Sequence, residues 1–506
     1  MQHELILDKK NEHGLTLAAI DLGSNSFHML IARANHHEMR PIVGFAERVQ
    51  LALDIKHNQL TSEAMSRGLL CLSRFKQALD ALKPDMVRIV GTNALRVAKN
   101  ADIFVSSVED IIGCPVELVS GREEARLIYL GVAHTLANDD TRLVVDIGGG
   151  STELIIGRRF ESQMRESLHM GCVTFSNRFS SDGLISPASF ATAYNAACKE
   201  VINIQKSYKK HGWSDVVGSS GTIRSIEKIV YEQGWSSSGI SIDALHKLRN
   251  MILKSSHVDE LPKMAHLSED RRPLIVSGLA ILCGIFDSLD IKHMSTSAGA
   301  LREGIVYDLL GRLAHEDVRE HSISAMMLRS EVDQQNAEQA KEIAMLLFDS
   351  CSGDWDLGSA DRKLLGWAAH LHEIGLSVAH TQYHKHGQYL IEHSDLQGFN
   401  KFEQKLLGLL VRGHRQKFPL RELRRFSSAH SLRLKRLIVM LRLAVLFKYI
   451  ISDEGDPPFM PLAKTQGITL RLTQGWLAEN SLMTTVLEIE QQYLIDADFV
   501  LTLVEV

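Results

Sequence analysis

Residues 143–154 read LVVDIGGGSTEL, an apolar run that meets an aspartate and then three glycines. A dinucleotide-binding loop would place glycine at the sixth position of G-x-G-x-x-G, where this chain has Glu153, and a P-loop would follow its glycines with lysine, which is absent. The same plan occurs at residues 17–32, LAAIDLGSNSFHMLIA. Asp21, Gly23 and Ser26 precede Asp146, Gly148 and Ser151 by one offset of 125 residues (146 − 21, 148 − 23, 151 − 26). Each copy reads as strand, glycine turn, strand, a hairpin whose exposed backbone N–H groups form an anion nest. An aspartate at that turn cannot meet phosphate directly, because like charges repel, but a divalent cation between them suits both. Two such hairpins predict a duplicated α/β architecture whose halves grip a phosphate chain across a cleft.

Two further glycine turns follow strand-like runs. VVGSSGTIRSI (216–226) offers Gly218, Gly221 and Thr222, and SAGALREGIVYDLL (297–310) offers Gly299, each at a predicted helix start. Helix N-termini attract anions through unpaired N–H groups and the dipole. Between the hairpins, VELVSGREEARLIYLGVAH (116–134) contains Ser120 and Glu123 in the S-x-x-E spacing of a capping box, so Glu123 can fold back on the N-cap amide. Glu124 points about 100° further round the helix and is free to face the cleft as a general base toward water. In GTNALRVAKN (91–100), Thr92 and Arg96 follow a strand-like run, and the arginine suits a bidentate phosphate clamp or a surface ion pair.

The chain has 506 residues, of which 45% are hydrophobic and 23% charged, enough for several cores and too little bias for disorder. Its formal net charge of −5 excludes non-specific nucleic-acid binding by the whole molecule. Six cysteines lie far apart with no C-x-x-C pair, which predicts buried free thiols and a cytoplasmic setting. The polar N-terminal stretch MQHELILDKKNEHG lacks a secretory apolar segment, and the longest apolar run, 274–286, falls short of the ~20 residues of a membrane span. No transmembrane segment is expected, and peripheral membrane association stays open.

Beyond about residue 315 the glycine turns stop and amphipathic helical patterns begin, with 329–350 a clear case. Residues 367–394 concentrate six histidines, and His372-Glu373 is similar to the HD motif of metal phosphohydrolases with glutamate replacing aspartate, which predicts a degenerate, metal-free HD-like helical domain. Residues 411–442 carry ten Lys or Arg against Glu422 alone, a candidate track for a long polyanion. After about residue 455 the chain reads as a small β-rich unit.

The paired Asp-x-Gly hairpins, SGREEARLIYLGV, DIGGGSTEL, GSSGT, GALREG, WAAHLHEIGL and SDLQGFN (394–400) together resemble the exopolyphosphatase and guanosine pentaphosphate phosphatase family, closer to its long exopolyphosphatase branch. The resemblance implies the actin-like fold, two ribonuclease-H-like domains at 1–135 and 136–313, followed by a helical HD-like domain at 314–452 and a small C-terminal domain at 453–506. It implies hydrolysis of the terminal phosphate of inorganic polyphosphate, with guanosine pentaphosphate the alternative substrate and a link to the stringent response. Glu124 matches the catalytic base. Gly23, Asn25, Ser26, Thr92, Arg96, Gly148, Gly149, Ser151, Gly221 and Thr222 match phosphate-binding positions, and Asp21, Asp146 and Glu153 match metal positions. Mg²⁺ is the implied cofactor, with a monovalent cation such as K⁺ beside it, and a homodimer the implied assembly. A kinase or ATPase of the same fold, and a non-enzymatic filament or scaffold, are the alternatives from other classes.

Overall fold

The structure is a computed structural model, which describes residues 14–34, 39–52, 58–136, 140–180, 182–262, 271–313, 318–394, 396, 398–448 and 458–506. The domain starts expected at residues 314 and 453, the first thirteen residues, and Asp395 and Gln397 of the SDLQGFN segment lie outside the described residues. The chain forms two compact units, Met1–Asp317 and Val318–Val506.

In the first unit both aspartate-glycine stretches form hairpins. β1 (Leu15–Leu22) pairs antiparallel with β2 (Ser26–Ala34), setting Asp21 opposite His28. β3 (Met39–Arg48), β4 (Met86–Gly91) and β5 (Val116–Leu118) complete a sheet ordered β3-β2-β1-β4-β5. The second sheet contains β6 (Thr141–Ile147), β7 (Thr152–Arg158), β8 (Glu161–Leu168), β9 (Asp215–Gly218), β10 (Ile240–Ser241) and β11 (His293–Thr296). Its order is β10-β11-β9-β6-β7-β8, and β6 pairs antiparallel with β7 so that Asp146 faces Glu153. Without the edge strand β10, the two sheets share one order and one set of parallel and antiparallel pairings. The duplication visible in the loops extends to the topology, and the architecture is the actin-like one.

Helices pack on both sheets. α1 (Ser62–Leu82), α2 (Asn93–Val97) and α3 (Ala101–Ile112) follow strands of the first sheet, and α4 (Gly121–Thr135) leads from it toward the second. α5 (Cys172–Phe179), α6 (Pro187–His211), α7 (Gly221–Glu232), α8 (Ile242–Ile252), α9 (Arg272–Leu289) and α10 (Leu301–Leu313) belong to the second half of the first unit. α9 holds the long apolar run. It is apolar on every side because it is buried on nearly every side, a core helix packed with α6 in the larger hydrophobic core.

α4 and α10 occupy a separate core with residues of both sheets, including Leu17, Ala19, Val144 and Ile155. They approach until backbone meets backbone: a Cβ on Gly304 would strike the Leu127 carbonyl, and one on Gly131 the Ala300 carbonyl. Beside this contact lies a buried ion network. Arg88 of β4 donates to Glu117 of β5 (2.9 Å) and to Asp308 of α10 (2.7 Å), Arg126 of α4 pairs with Glu123 (2.8 Å) and Asp308 (2.5 Å), and Arg312 donates to Asp308 (2.9 Å). Burial opposes a charge on Asp308, but Arg126, Arg312 and Arg88 outweigh it and hold the carboxyl well below the usual range. Removing the shared acceptor takes a charge partner from three guanidinium groups at once, two of them buried. Asp308→Ala is therefore expected to cost about 3–5 kcal/mol, read by chemical denaturation of the full chain; an unchanged midpoint would show that the network is not a stabilising junction.

The second unit contains α11 (Val318–Arg329), α12 (Gln334–Trp355), α13 (Ser359–Leu371), α14 (Tyr383–His393), α15 (Lys401–Gly413), α16 (Leu420–Leu423) and α17 (Ser428–Phe447). The amphipathic pattern over 329–350 is interrupted where α11 ends, and α12 restarts at Asp333, whose side chain caps the Asn336 amide (3.0 Å). The final stretch has the strands β12 (Phe459–Lys464), β13 (Gly467–Leu472) and β14 (Val500–Glu505), with the helices α18 (Trp476–Glu479) and α19 (Ser481–Ile495) between β13 and β14. It is less β-rich than its sequence suggests, because Met483, Leu487 and Leu494 repeat at helical spacing and bury one face of α19. The basic stretch 411–442 is not one continuous track. Arg442 is buried on Glu490, Arg433 pairs with Asp361, Lys435 donates to the Ala497 carbonyl, and Arg436 donates to the Trp355 and Thr465 carbonyls.

Candidate active site

The two hairpin turns face each other closely. A Cβ on Gly149 would lie 3.1 Å from Ser24 and 3.2 Å from Asn25, and one on Gly150 would overlap the Asn93 side chain. Bare backbone at these two positions is what lets the turns abut. The Gly148 amide is satisfied inside its own hairpin by the Ser151 carbonyl (2.9 Å), so it is no phosphate donor in this arrangement, contrary to the sequence expectation. The Gly148 and Gly149 carbonyls in turn accept from the Cys172 and Val173 amides at the start of α5.

Between the turns lies a cavity of about 190 Å³. Its wall includes Asp21, Gly23, Asn25, Ser26, Thr92, Glu124, Asp146, Gly148, Gly149, Ser151, Glu153, Gly221 and Thr222, residues that sequence reasoning drew from five separate segments. Arg96 is the exception. It donates to Glu124 Oε2 (2.7 Å) and the Val119 carbonyl (3.0 Å), and it is absent from the described wall. The arginine expected on phosphate therefore orients the candidate base instead.

Glu124 occupies the first turn of α4, whose N-cap is Ser120; Ser120 Oγ accepts from the Glu123 amide (3.2 Å), as the capping spacing predicts. The Glu123 carboxylate pairs with Arg126. Adjacent glutamates thus diverge, one into the structural network and one into the cavity. Burial raises the Glu124 carboxyl above its ordinary range, Arg96 opposes this, and Asp21 and Asp146 add to it. Burial also raises Asp146, with Ser219, which hydrogen-bonds to it, opposing and Asp21 adding. Glu153 rises furthest, by burial and then by repulsion from Glu124 and Asp146, even though Ser167 donates to it (2.8 Å). Asp21 Oδ2 faces His28 Nδ1 at 3.4 Å, while its Oδ1 is buried without a hydrogen-bond partner. Asn25 Oδ1 is similarly unpartnered.

The same cavity also carries positive charge. Arg224, Arg271 and Arg302 line it, and Arg224 lies below the usual arginine range through burial and through the positive charge of Arg302 and Arg271. Arg271 donates to the Gly221 carbonyl (2.8 Å) and to Ser225 (2.9 Å), at the N-terminal turn of α7. A cleft lined by both crowded carboxylates and guanidinium groups suits a cation and a polyanion bound together.

Sequence reasoning missed His28, Ser24, Ser219 and the three arginines. The offset of 125 carries Glu153 onto His28, so the duplication itself held that signal. Ser219 and Arg224 stand inside VVGSSGTIRSI and Arg302 inside GALREG, where only the glycines and Thr222 drew attention. Arg271 follows a polar stretch and carries no motif.

The Ppx/GppA phosphatase family matches residues 30–313, and the family's domain III matches residues 318–491. The guanosine-5'-triphosphate,3'-diphosphate pyrophosphatase of Photobacterium profundum is 38% identical over 490 residues, 96% of this chain and 98% of that protein. Among solved structures, an exopolyphosphatase from Cytophaga hutchinsonii is 24% identical with a TM-score of 0.54, covering 58% of this chain and 97% of that one. The Aquifex aeolicus PPX-GPPA enzyme is 25% identical with a TM-score of 0.50, over 58% of this chain and 98% of that one. With both segments matched in order and a relative aligned nearly end to end, this chain belongs to the Ppx/GppA phosphatase family.

Proposed function

We propose that the chain is an exopolyphosphatase, hydrolysing the terminal phosphoric anhydride of inorganic polyphosphate with Glu124 as general base. The observation that carries this reading is Glu124 itself, buried in the cavity lining, tethered by Arg96 and close enough to Asp21 and Asp146 for their charges to raise it. In the reaction, Glu124 takes a proton from water as the water oxygen attacks the terminal phosphorus. The bridging P–O bond breaks and its electrons leave with the shortened chain. The Arg224, Arg271 and Arg302 guanidinium groups and the N-terminus of α7 would hold the phosphate oxygens, so the protein contributes mainly position and charge.

A divalent cation fits the carboxylate cluster. Asp21 Oδ1 is a buried oxygen without a partner, and Asp146 and Glu153 are crowded carboxylates that a cation would relieve. Among the described residues no three His, Cys, Asp or Glu groups converge as a closed cage, which suits Mg²⁺, an ion bound through one or two carboxylates, phosphates and water. When bound, it supplies neutralisation of the phosphate charge.

No phenylalanine, tyrosine or tryptophan lines the cavity among the described residues, so it offers no large aromatic platform for a base. That favours a chain of phosphates. Guanosine pentaphosphate is the second reading, favoured by the name of the Photobacterium relative. Phosphate release from long polyphosphate and from guanosine pentaphosphate, measured side by side, decides between them, and absent turnover of polyphosphate refutes the first.

Glu124→Gln is expected to lower kcat by about 10²–10⁴-fold without loss of fold, and retained turnover would remove Glu124 from the mechanism. Arg96 lowers the Glu124 pKa, so Arg96→Met should raise it. The base then stays protonated to higher pH, and the acidic limb of kcat/KM should move upward; an unmoved limb would break the link between the two residues. Glu153 has a raised folded-state pKa, so its contribution to stability is present below its unfolded value and is lost as pH rises through the folded value. Metal-free Glu153→Gln should therefore melt a few degrees above wild type at pH 8 and level with it near pH 4, and should gain less from added Mg²⁺. Equal melting at pH 8 would show that the cluster carries no such repulsion.

A further inference from the structure

The second unit contains a buried polar cluster that the proposed reaction does not use. Three of its helices end on residues of the cluster: α13 at His372, α15 at His414 and α17 at Lys448, each the C-cap of its helix. Helix C-termini favour a cation through their unpaired carbonyls and dipoles. His372 and Lys448 are fully or almost fully buried, and so is His414.

The two histidines share one geometry. His372 Nδ1 lies 2.6 Å from the Ala369 carbonyl and His414 Nδ1 lies 2.6 Å from the Val411 carbonyl, three residues back in each case. A carbonyl there fixes the proton on Nδ1 and leaves Nε2 as a lone pair directed inward, the tautomer and orientation that second-shell contacts impose on metal-ligating histidines. The rings lie 5.6 Å apart, with His384 6.3 Å from His414 and its buried Nδ1 unpartnered. Burial pushes His384 down to about 4, with Arg412 and Arg415 adding to the effect, and it pushes His414 down as well.

At the point where a divalent cation would meet His372 Nε2 and the Glu373 carboxylate stands the Lys448 ammonium, 2.9 Å from the first and 2.7 Å from the second. An ammonium donating to Nε2 is compatible with a neutral His372 only, which is why the 3.5 Å approach of Nε2 to Glu373 is not an ion pair of its own. Burial resists ionisation of Glu373, and the Lys448 ammonium opposes that resistance and favours the carboxylate.

We propose that Lys448 is the resident cation of a buried histidine–carboxylate cluster, so that the cluster holds the second unit together without metal and takes a divalent ion only when the lysine is removed. The residues present do not fit a metal ion while Lys448 is in place, and no hydrolytic chemistry is assigned to this cluster. The inference is independent of the reaction proposed for the first unit.

The test uses the full chain after chelator treatment. Lys448→Ala leaves Glu373 buried without its ammonium, and the melting temperature should fall by on the order of 10 °C. Zn²⁺ should restore part of the loss, Co²⁺ should give a visible absorption spectrum, and both effects should vanish in Lys448→Ala/His372→Ala. A Lys448→Ala protein that melts at the wild-type temperature overturns the proposal, as does a wild-type protein that takes up zinc through His372. Should Lys448→Ala fail to fold, Lys448→Ala/Glu373→Gln provides the reading: with no stranded charge it should fold and melt independently of zinc, whereas failure like that of the single variant overturns the assignment.

Discussion

Four carboxylates, Asp21, Glu124, Asp146 and Glu153, line a single small cleft, and the design of the first unit follows from the cost of keeping them there. Water cannot screen them, since burial is the largest influence raising Glu124, Asp146 and Glu153. Ser219, Ser167 and Arg96 each offset part of the repulsion, and the unpartnered Asp21 oxygen shows that the offset is incomplete. Under the proposed mechanism the remainder is useful: it creates affinity for a cation, and it keeps the Glu124 pKa closer to neutrality, where a carboxylate is a better acceptor of a proton from water.

Such a cluster persists only if its frame resists opening. Two features supply that resistance. The glycine turns of β1–β2 and β6–β7 touch through bare backbone, and α4 and α10 touch through Gly131 and Gly304. Behind Glu124, Asp308 gathers Arg88, Arg126 and Arg312, which joins β4, α4 and α10. Adjacent residues on one helical turn therefore serve opposite ends: Glu123 fastens α4 to the frame while Glu124 stays in the cleft.

Much of this was legible in the sequence because the duplication repeats local chemistry. The offset of 125 located both hairpins, the capping serine located the start of α4, and the 100° step between neighbours on a helix separated Glu123 from Glu124. What escaped depended on contacts between segments far apart in the chain. Arg96 read equally well as a phosphate clamp or an ion-pair partner until its partner, 28 residues on, was seen to be Glu124. The glycines read as phosphate cradles, but Gly149 and Gly150 also have to clear the other hairpin, a requirement that no single turn reveals. The basic stretch 411–442 read as a surface because composition cannot show that Arg442 is buried on Glu490.

The two units then meet one electrostatic problem in opposite ways. Buried carboxylates in a protein need compensating positive charge, and that charge can be covalent or exchangeable. At Glu373 it is covalent: Lys448 reaches the carboxylate at 2.7 Å and holds it below its ordinary range. At Asp146 and Glu153, among the described residues, no lysine or arginine is bonded, their neighbours are hydroxyl groups, and both carboxyls are pushed up rather than down. A site that must release its product benefits from compensation that can leave and return, whereas a site that only has to hold three helix ends together benefits from a cation that cannot. Under the proposed mechanism the raised carboxyls of Asp146 and Glu153 go with an exchangeable cation, and the lowered carboxyl of Glu373 goes with a fixed one.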